Sequence, residues 1–272
     1  MSEDIVVWVS AGAASAAALI KTIEQYPASS IRAVYNPVIE ENEDNLRFLQ
    51  DVENYTGIKI EVAKSILYPN ASAVQVWDKV GYMAGPKGAP CTRELKKEAR
   101  RTWEDRNQWE GWHVFGFTVE EKHRHQRRVD DGMKILPILI DAGMTKQDCF
   151  DVIKATGISL PAIYSISSRF GSGYPNANCI GCVKAASPTY WNHVRETFPE
   201  VFTARAEQSR RIGAKLARCH PKYLSWCEKR NGEWFDTREN KSLHVTDVKG
   251  VRKLVSPRVF LTSCLLMHEV KV

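Results

Sequence analysis

The sequence predicts an α/β protein, a doubly wound and mostly parallel sheet followed by a helical, cysteine-bearing C-terminal part. Three observations carry that expectation. Short apolar strand-like runs alternate with helical runs through the first half, the order expected of parallel strands joined by helices. The first run meets a turn of small residues, "SAGAAS", with a helical pattern directly behind it. Past Gly132 the text turns helical and carries a Cys-x-x-C pair in a Gly/Pro/Asn/Ser-rich loop.

Taken in order, "DIVVWV" reads as the first strand and the stretch from about Ser15 to Tyr26 as its helix. "IRAVYN" is the second strand, followed by a helix from about Asn42 to Thr56 with Leu46, Leu49, Val52 and Tyr55 at helical spacing. "KIEVAKS" and "HVFGFT" (His113 to Thr118) read as the third and fourth strands, separated by the polar helical stretch "CTRELKKEARRTWEDRN". In such sheets ligands bind beyond the carboxyl ends of the strands, where Ser10, Asn36 and Gly116 fall. Further on, "MTKQDCFDVIKATG" opens with Thr145 as a cap and closes on Gly157. A long amphipathic helix follows from about Thr189 to Cys219, broken near "TFPEVF".

Composition narrows the function classes. With 272 residues, 43% of them hydrophobic, the chain can bury a large core. Its 38 basic and 32 acidic residues leave a net charge of +6, which suits anionic ligands. The start "MSEDIVVW" lacks the basic-then-apolar order of a signal peptide, and runs such as "ILPILI" fall far short of the roughly 20 residues that span a bilayer. The sequence therefore reads as soluble and cytoplasmic, with no membrane partner. In that compartment its seven cysteines point to metal or redox chemistry rather than disulfides.

Two constellations are specific enough to weigh. The strand–turn–helix at "SAGAAS" offers backbone N–H groups and a positive helix end to a phosphate, with Ser10 and Ser15 adding hydroxyls. The alternative is a tight connection in which small residues only permit packing. The pair Cys179 and Cys182 in "NCIGC" has the spacing at which two thiolates reach one metal or cluster. A dithiol redox pair and a chance occurrence remain open for it. Cys91 in "APCTRELKK" and Cys264 in "LTSCLLMHE" are further candidate ligands, while Cys149, Cys219 and Cys227 read as buried, inert thiols. Of the basic segments, Arg93, Lys96 and Arg124 are candidate anion contacts and the remainder reads as solvated surface. The tryptophans of "TWEDRNQWEGWHVF" read as packing in preference to a base-stacking platform.

Together these stretches resemble the phosphoadenosine-phosphosulfate reductase family, within the adenine nucleotide alpha-hydrolase-like group of PP-loop proteins, and most of all its phage and prophage members. "SAGAAS" resembles the family's Ser-Gly-Gly-x-Asp-Ser loop, "CTRELKK" its Cys-Cys-x-x-x-Lys segment, "VFGFTVEEKHR" its Gly-x-Arg-x-x-Glu strand end, and "NCIGC" the cluster cysteines of its iron–sulfur branch. "SCLLMHE" is faintly similar to the reductases' C-terminal Glu-Cys-Gly-x-His. Several positions depart from the pattern: Ala11 for Gly, Ala14 for Asp, Thr92 for a second Cys, Thr118 for Arg and Asn36 for Asp. Cys264 and His268 also stand four apart rather than three.

The resemblance implies a PP-loop nucleotide-binding domain over residues 1–176 and a helical part over 177–272 that carries cluster cysteines and the tail. It implies an adenine nucleotide, ATP or adenylyl sulfate, accompanied by Mg, and a 4Fe–4S cluster. Ser10, Gly12, Ala13 and Ser15 would surround the phosphate, with Gly116 beside them and Arg93, Lys96 and Arg124 as anion contacts. The adenine would lie near Val34 and Tyr35. Cys91, Cys179 and Cys182 would be cluster ligands; Cys264 is the choice for the fourth, Cys149 the reserve, and an exogenous ligand a third option. The implied activity is sulfur transfer or reduction, including pyrophosphate release from ATP, with no catalytic residue assigned. The alternatives are a sulfur-modifying enzyme of DNA or RNA and a nucleotide-binding module with a structural cluster. A nucleic acid, a sulfur-donor protein and a second copy of the chain are the macromolecular partners compatible with this reading.

Overall fold

The computed structural model describes residues 4–85 and 88–218, together with the backbone of 244–246, 252–254 and 258–259. They divide into two compact units. The first runs to Ala73 and adds Cys91–Ile166 and Gly173–Cys179; the second comprises Val74–Pro90, Ser167–Ser172 and the chain from Ile180 onward.

The first unit is built on five parallel strands: β1 (Asp4–Val9), β2 (Ser30–Tyr35), β3 (Ile60–Val62), β4 (Trp112–Phe115) and β5 (Ile135–Leu136), in the order β3-β2-β1-β4-β5. β1 is central because its apolar run can be buried on both faces. It pairs with β2 from Asp4↔Ser30 to Val9↔Tyr35 and with β4 from Ile5↔Trp112 to Trp8↔Phe115. Alternation along β1 separates two cores. Ile5, Val7 and Val9 enter the larger core, shared with α1 (Ala13–Gln25) and α2 (Asp44–Thr56). Val6 and Trp8 enter a second core with Val34, Ala63 and Trp103.

Helices cover both faces. α3 (Ala73–Val80) leaves the first unit at its first residue. The chain re-enters through a continuous helical run made of α4 (Pro90–Thr92), a π-helical stretch Arg93–Glu98 and α5 (Ala99–Arg106). α5 brings Trp103 onto the second core, where the Arg32 guanidinium lies 4.5 Å from the Trp103 ring and forks onto Glu61 at 2.6 Å. Trp103 therefore serves packing. Beside it Trp8 Nε1 donates to His113 Nδ1 at 3.0 Å. α6 (Lys122–Asp130), α7 (Ile138–Asp141) and α8 (Lys146–Ala155) complete the unit; Ile138, Leu139, Cys149 and Ile153 join the larger core. Thr145 caps α8 as its sequence predicts, and Asp148 completes a reciprocal box with it.

The second unit contains the rest of α3, then α9 (Pro188–Thr197) and α10 (Pro199–Ile212). The long helix expected from Thr189 to Cys219 breaks at Phe198, because Pro199 cannot continue a hydrogen-bonded helix, and it stops at Gly213 in the left-handed conformation. Trp77, Trp191 and Leu216 are fully buried there, with the Arg205 guanidinium 4.3 Å from the Trp77 ring. β6 (Ala217–Arg218) pairs antiparallel with β9 (Arg258–Val259), and β7 (His244–Thr246) with β8 (Arg252–Leu254). Among the described residues, no helix is long and apolar enough to cross a membrane.

Candidate functional site

Strand order singles out one crevice in the first unit. From β1 the chain winds outward through β2 to β3, then returns to β4 on the other side of β1. The carboxyl ends of β1 and β4 therefore flank the point where winding reverses, the crevice in which open α/β sheets bind ligands.

The loop after β1 is fixed by local bonds. Ala11 takes a left-handed φ of +57° although wholly buried, a conformation that costs a non-glycine residue about 1–2 kcal/mol. Gly12 is extended, and α1 begins at Ala13 with no side-chain cap and no acidic residue in its first turn. Its positive end is therefore uncompensated by any carboxylate of that turn. Ser15, only 3% exposed, braces the loop: its Oγ accepts from the Ser10 N–H at 2.9 Å and donates to the Gly12 carbonyl at 2.9 Å. Ser10 itself is exposed. The Ala13 N–H donates to Tyr164 Oη at 3.3 Å. From the other side β4 closes in so tightly that a Cβ on Gly116 would lie 2.6 Å from Ser15 N and 2.7 Å from Ala14 C. Ser10, Gly12, Ala13, Ser15 and Gly116 thus meet at one place.

The end of β2 is differently arranged. Val34 is fully buried among Val6, Trp8, Ala63 and Trp103, so it offers a ligand no surface there. Tyr35 is 5% exposed and its hydroxyl donates to Glu41 at 3.0 Å. Lys96, on the π-helical stretch, reaches the other Glu41 oxygen at 3.2 Å, and the Glu41 side chain is only 3% exposed. Burial, followed by the Glu41 charge, holds the Tyr35 phenol above its usual range, and Cys179 adds to this field from close by. Lys96 is thereby drawn to the carboxyl end of β2. Arg93 is an exposed partner of Glu94 at 2.7 Å. Arg124 pairs with Glu121 and lies 4.7 Å from the Phe117 ring.

The cysteines separate by environment. Cys91, Cys179 and Cys182 are half-buried thiols. Cys149 is fully buried in the larger core, and burial pushes its thiol up to about 12, which keeps it protonated and unlike a ligand thiolate. Cys91 opens the helical run after Pro90, Cys179 ends the first unit, and Cys182 lies in the second. Gly181 permits the turn before Cys182 with a φ of +67°, and the Cys182 N–H donates to Tyr190 Oη at 2.9 Å. The chemistry of the three accessible thiols fits thiolate ligation. Among the described residues, no group of three or more His, Cys, Asp or Glu side chains gathers at metal-binding distance. Cys264, Cys219 and Cys227 lie outside the described residues.

Glu41 and Tyr164 are absent from the sequence reading. Glu41 had a signal, an acidic run "IEENED" directly after the second strand. Tyr164 had none, because its hydroxyl reaches Ala13 across 151 residues of sequence. No family model matches the chain, and no curated protein matches it.

Proposed function

We propose that the first unit is a PP-loop nucleotide-binding domain. It takes ATP or adenylyl sulfate with the phosphate or sulfate end against the start of α1 and the amides of residues 11–14. The observation that carries this reading is the meeting of an uncompensated helix start, a left-handed Ala11 and a side-chain-free Gly116 at the point where the sheet reverses. Lys96 lies at the neighbouring strand end, held by Glu41. Cys91, Cys179 and Cys182 would hold an iron–sulfur cluster with a fourth ligand, Cys264, from the tail. Such a cluster supplies electrons or an electrostatic centre when bound. The chain's own residues bind the anion, fix its orientation and set the charge around it. The corresponding reaction class is sulfur transfer or reduction on an activated adenylate, with nucleic acid as an alternative acceptor.

One observation favours a second reading, a nucleotide-binding module without turnover. Ala14 leaves the first turn of α1 without the carboxylate that would hold a metal ion on the phosphates. The two separate on purified protein. Calorimetry with ATP and with adenylyl sulfate should give saturable binding in either case, and no binding would refute the placement. Pyrophosphate release from ATP supports the enzyme, and binding without release supports the module. Anaerobic purification with a visible spectrum and iron and sulfide assays tests the cluster; an iron-free, zinc-loaded protein would refute it.

A further inference from the structure

Tyr164 has a position that nucleotide binding alone does not explain. Its phenol oxygen accepts the N–H of Ala13, in the first turn of α1, at 3.3 Å. The backbone N–H of Ala177, two residues before Cys179, also acts on this phenol, opposing the rise that burial gives it. One atom thereby joins the loop proposed to receive phosphate to the segment that delivers a cysteine. The ring is fixed edge-on against Phe150, with centroids 4.9 Å apart.

The cysteine segment is fastened around that tyrosine at three further points. Gly173 lies so close that a Cβ there would stand 1.9 Å from the Tyr164 carbonyl oxygen. The Tyr174 N–H donates to the Ile163 carbonyl at 3.1 Å. Lys146 Nζ, 5.7 Å from the centroids of both the Tyr164 and Phe150 rings, donates to Asn176 Oδ1 at 2.9 Å. Residues 173–177 therefore follow Tyr164 as one body. An anion at the start of α1 competes with the phenol for the Ala13 N–H. When it takes that bond, the phenol keeps the Ala177 N–H as its backbone partner and can turn its own O–H toward the anion.

We infer that Tyr164 is a positioning residue that couples occupancy of the α1 loop to the conformation of the segment carrying Cys179. This inference rests on the nucleotide reading above. It gives the protein a means of tightening the hold on the cysteine segment when the nucleotide arrives.

Hydrogen exchange read by mass spectrometry on the full chain, with and without ATP, tests it. In the parent protein ATP should slow exchange over residues 10–16 and over 173–179 together. In Tyr164→Phe, which keeps the ring packing, ATP should still slow 10–16 but leave 173–179 unchanged. Without nucleotide, Tyr164→Phe should speed exchange at Ala177 by roughly five- to tenfold, the effect of losing one net hydrogen bond. Asn176→Ala, a change at an exposed side chain, should weaken the transmission without touching the loop. Protection of 173–179 by ATP in Tyr164→Phe as strong as in the parent would overturn the inference, as would protection confined to the loop in the parent. If ATP protects neither segment, the nucleotide reading fails and the coupling with it. In that case unchanged Ala177 exchange in Tyr164→Phe would also remove the bridge, whereas a faster rate would keep the bridge as a structural element only.

Discussion

Replacing Gly116 by alanine should damage the first unit more than its small size suggests. The added Cβ would stand 2.6 Å from Ser15 N and 2.7 Å from both Ala14 C and Ser15 Cα, against an ordinary contact that begins at 3.4 Å. The end of β4 and the first turn of α1 must then separate by about 0.8 Å, and every atom involved belongs to backbone. Overpacking of this kind costs typically 1–3 kcal/mol, and the absence of a flexible side chain to yield places it at about 3 kcal/mol. Against a total of roughly 5–15 kcal/mol for a folded protein, that loss is large. Gly132→Ala is the control. Gly132 has a φ of +81° with nothing within 4 Å of a built Cβ, so only backbone strain of about 1 kcal/mol applies. Urea unfolding followed by tryptophan fluorescence should show a markedly lower midpoint for Gly116→Ala than for Gly132→Ala, at similar slope. ATP binding should also weaken, because the displaced turn holds the proposed phosphate loop. Equal midpoints for the two variants would refute the close approach of β4 to α1.

Other outcomes follow from the same geometry. Burial, with Arg100 nearby, lowers the His113 imidazole to about 4 from 6.5, so between those values the unfolded chain binds the extra proton. Stability should fall as pH drops from 6.5 to 4, by up to about 3 kcal/mol, and His113→Asn, whose Oδ1 can still accept from Trp8, should flatten that dependence in pH-resolved unfolding. Lys96→Ala should destabilise by about 2 kcal/mol, because it leaves Glu41 with a 3%-exposed side chain beside no ammonium partner, and adding Glu41→Gln should restore stability without restoring nucleotide affinity. Among single Cys→Ser variants purified anaerobically, those at Cys91, Cys179, Cys182 and Cys264 should lose absorbance at roughly 400 nm. Cys149→Ser should keep that absorbance, since its thiol is a core group pushed up to about 12.

Much of the sheet could be read from the sequence because its strands obey one-dimensional rules. "DIVVWV" coincides with β1, where an uninterrupted apolar run marks a strand buried on both faces. Thr145 announced α8, and Gly157 its end. β5 escaped notice because two residues, Ile135 and Leu136, carry no periodicity. The adenine placement at Val34 was read from strand position, whereas exposure there depends on Trp103, brought in from 69 residues away. Lys96 was legible as a cation near Cys91, but its pairing with Glu41 spans 55 residues and no local pattern encodes it. Gly116 stood out as a strand-end residue. Its reason for being glycine, the backbone of α1 pressed against it, is a property of the assembled sheet.

Backbone amide shifts in isotope-labelled protein titrated with ATP test the placement of the nucleotide most directly. The account predicts that the largest changes fall on Ala11, Gly12, Ala13 and Ala14, with Gly116 and Phe117 next, since these amides surround the start of α1 at the carboxyl ends of β1 and β4. The groove at the opposite ends of the strands, lined by Asp4, Arg32, Trp109 and Trp112, should remain unchanged. Saturable shifts confined to that groove, with the amides of residues 11–14 unmoved, would contradict it.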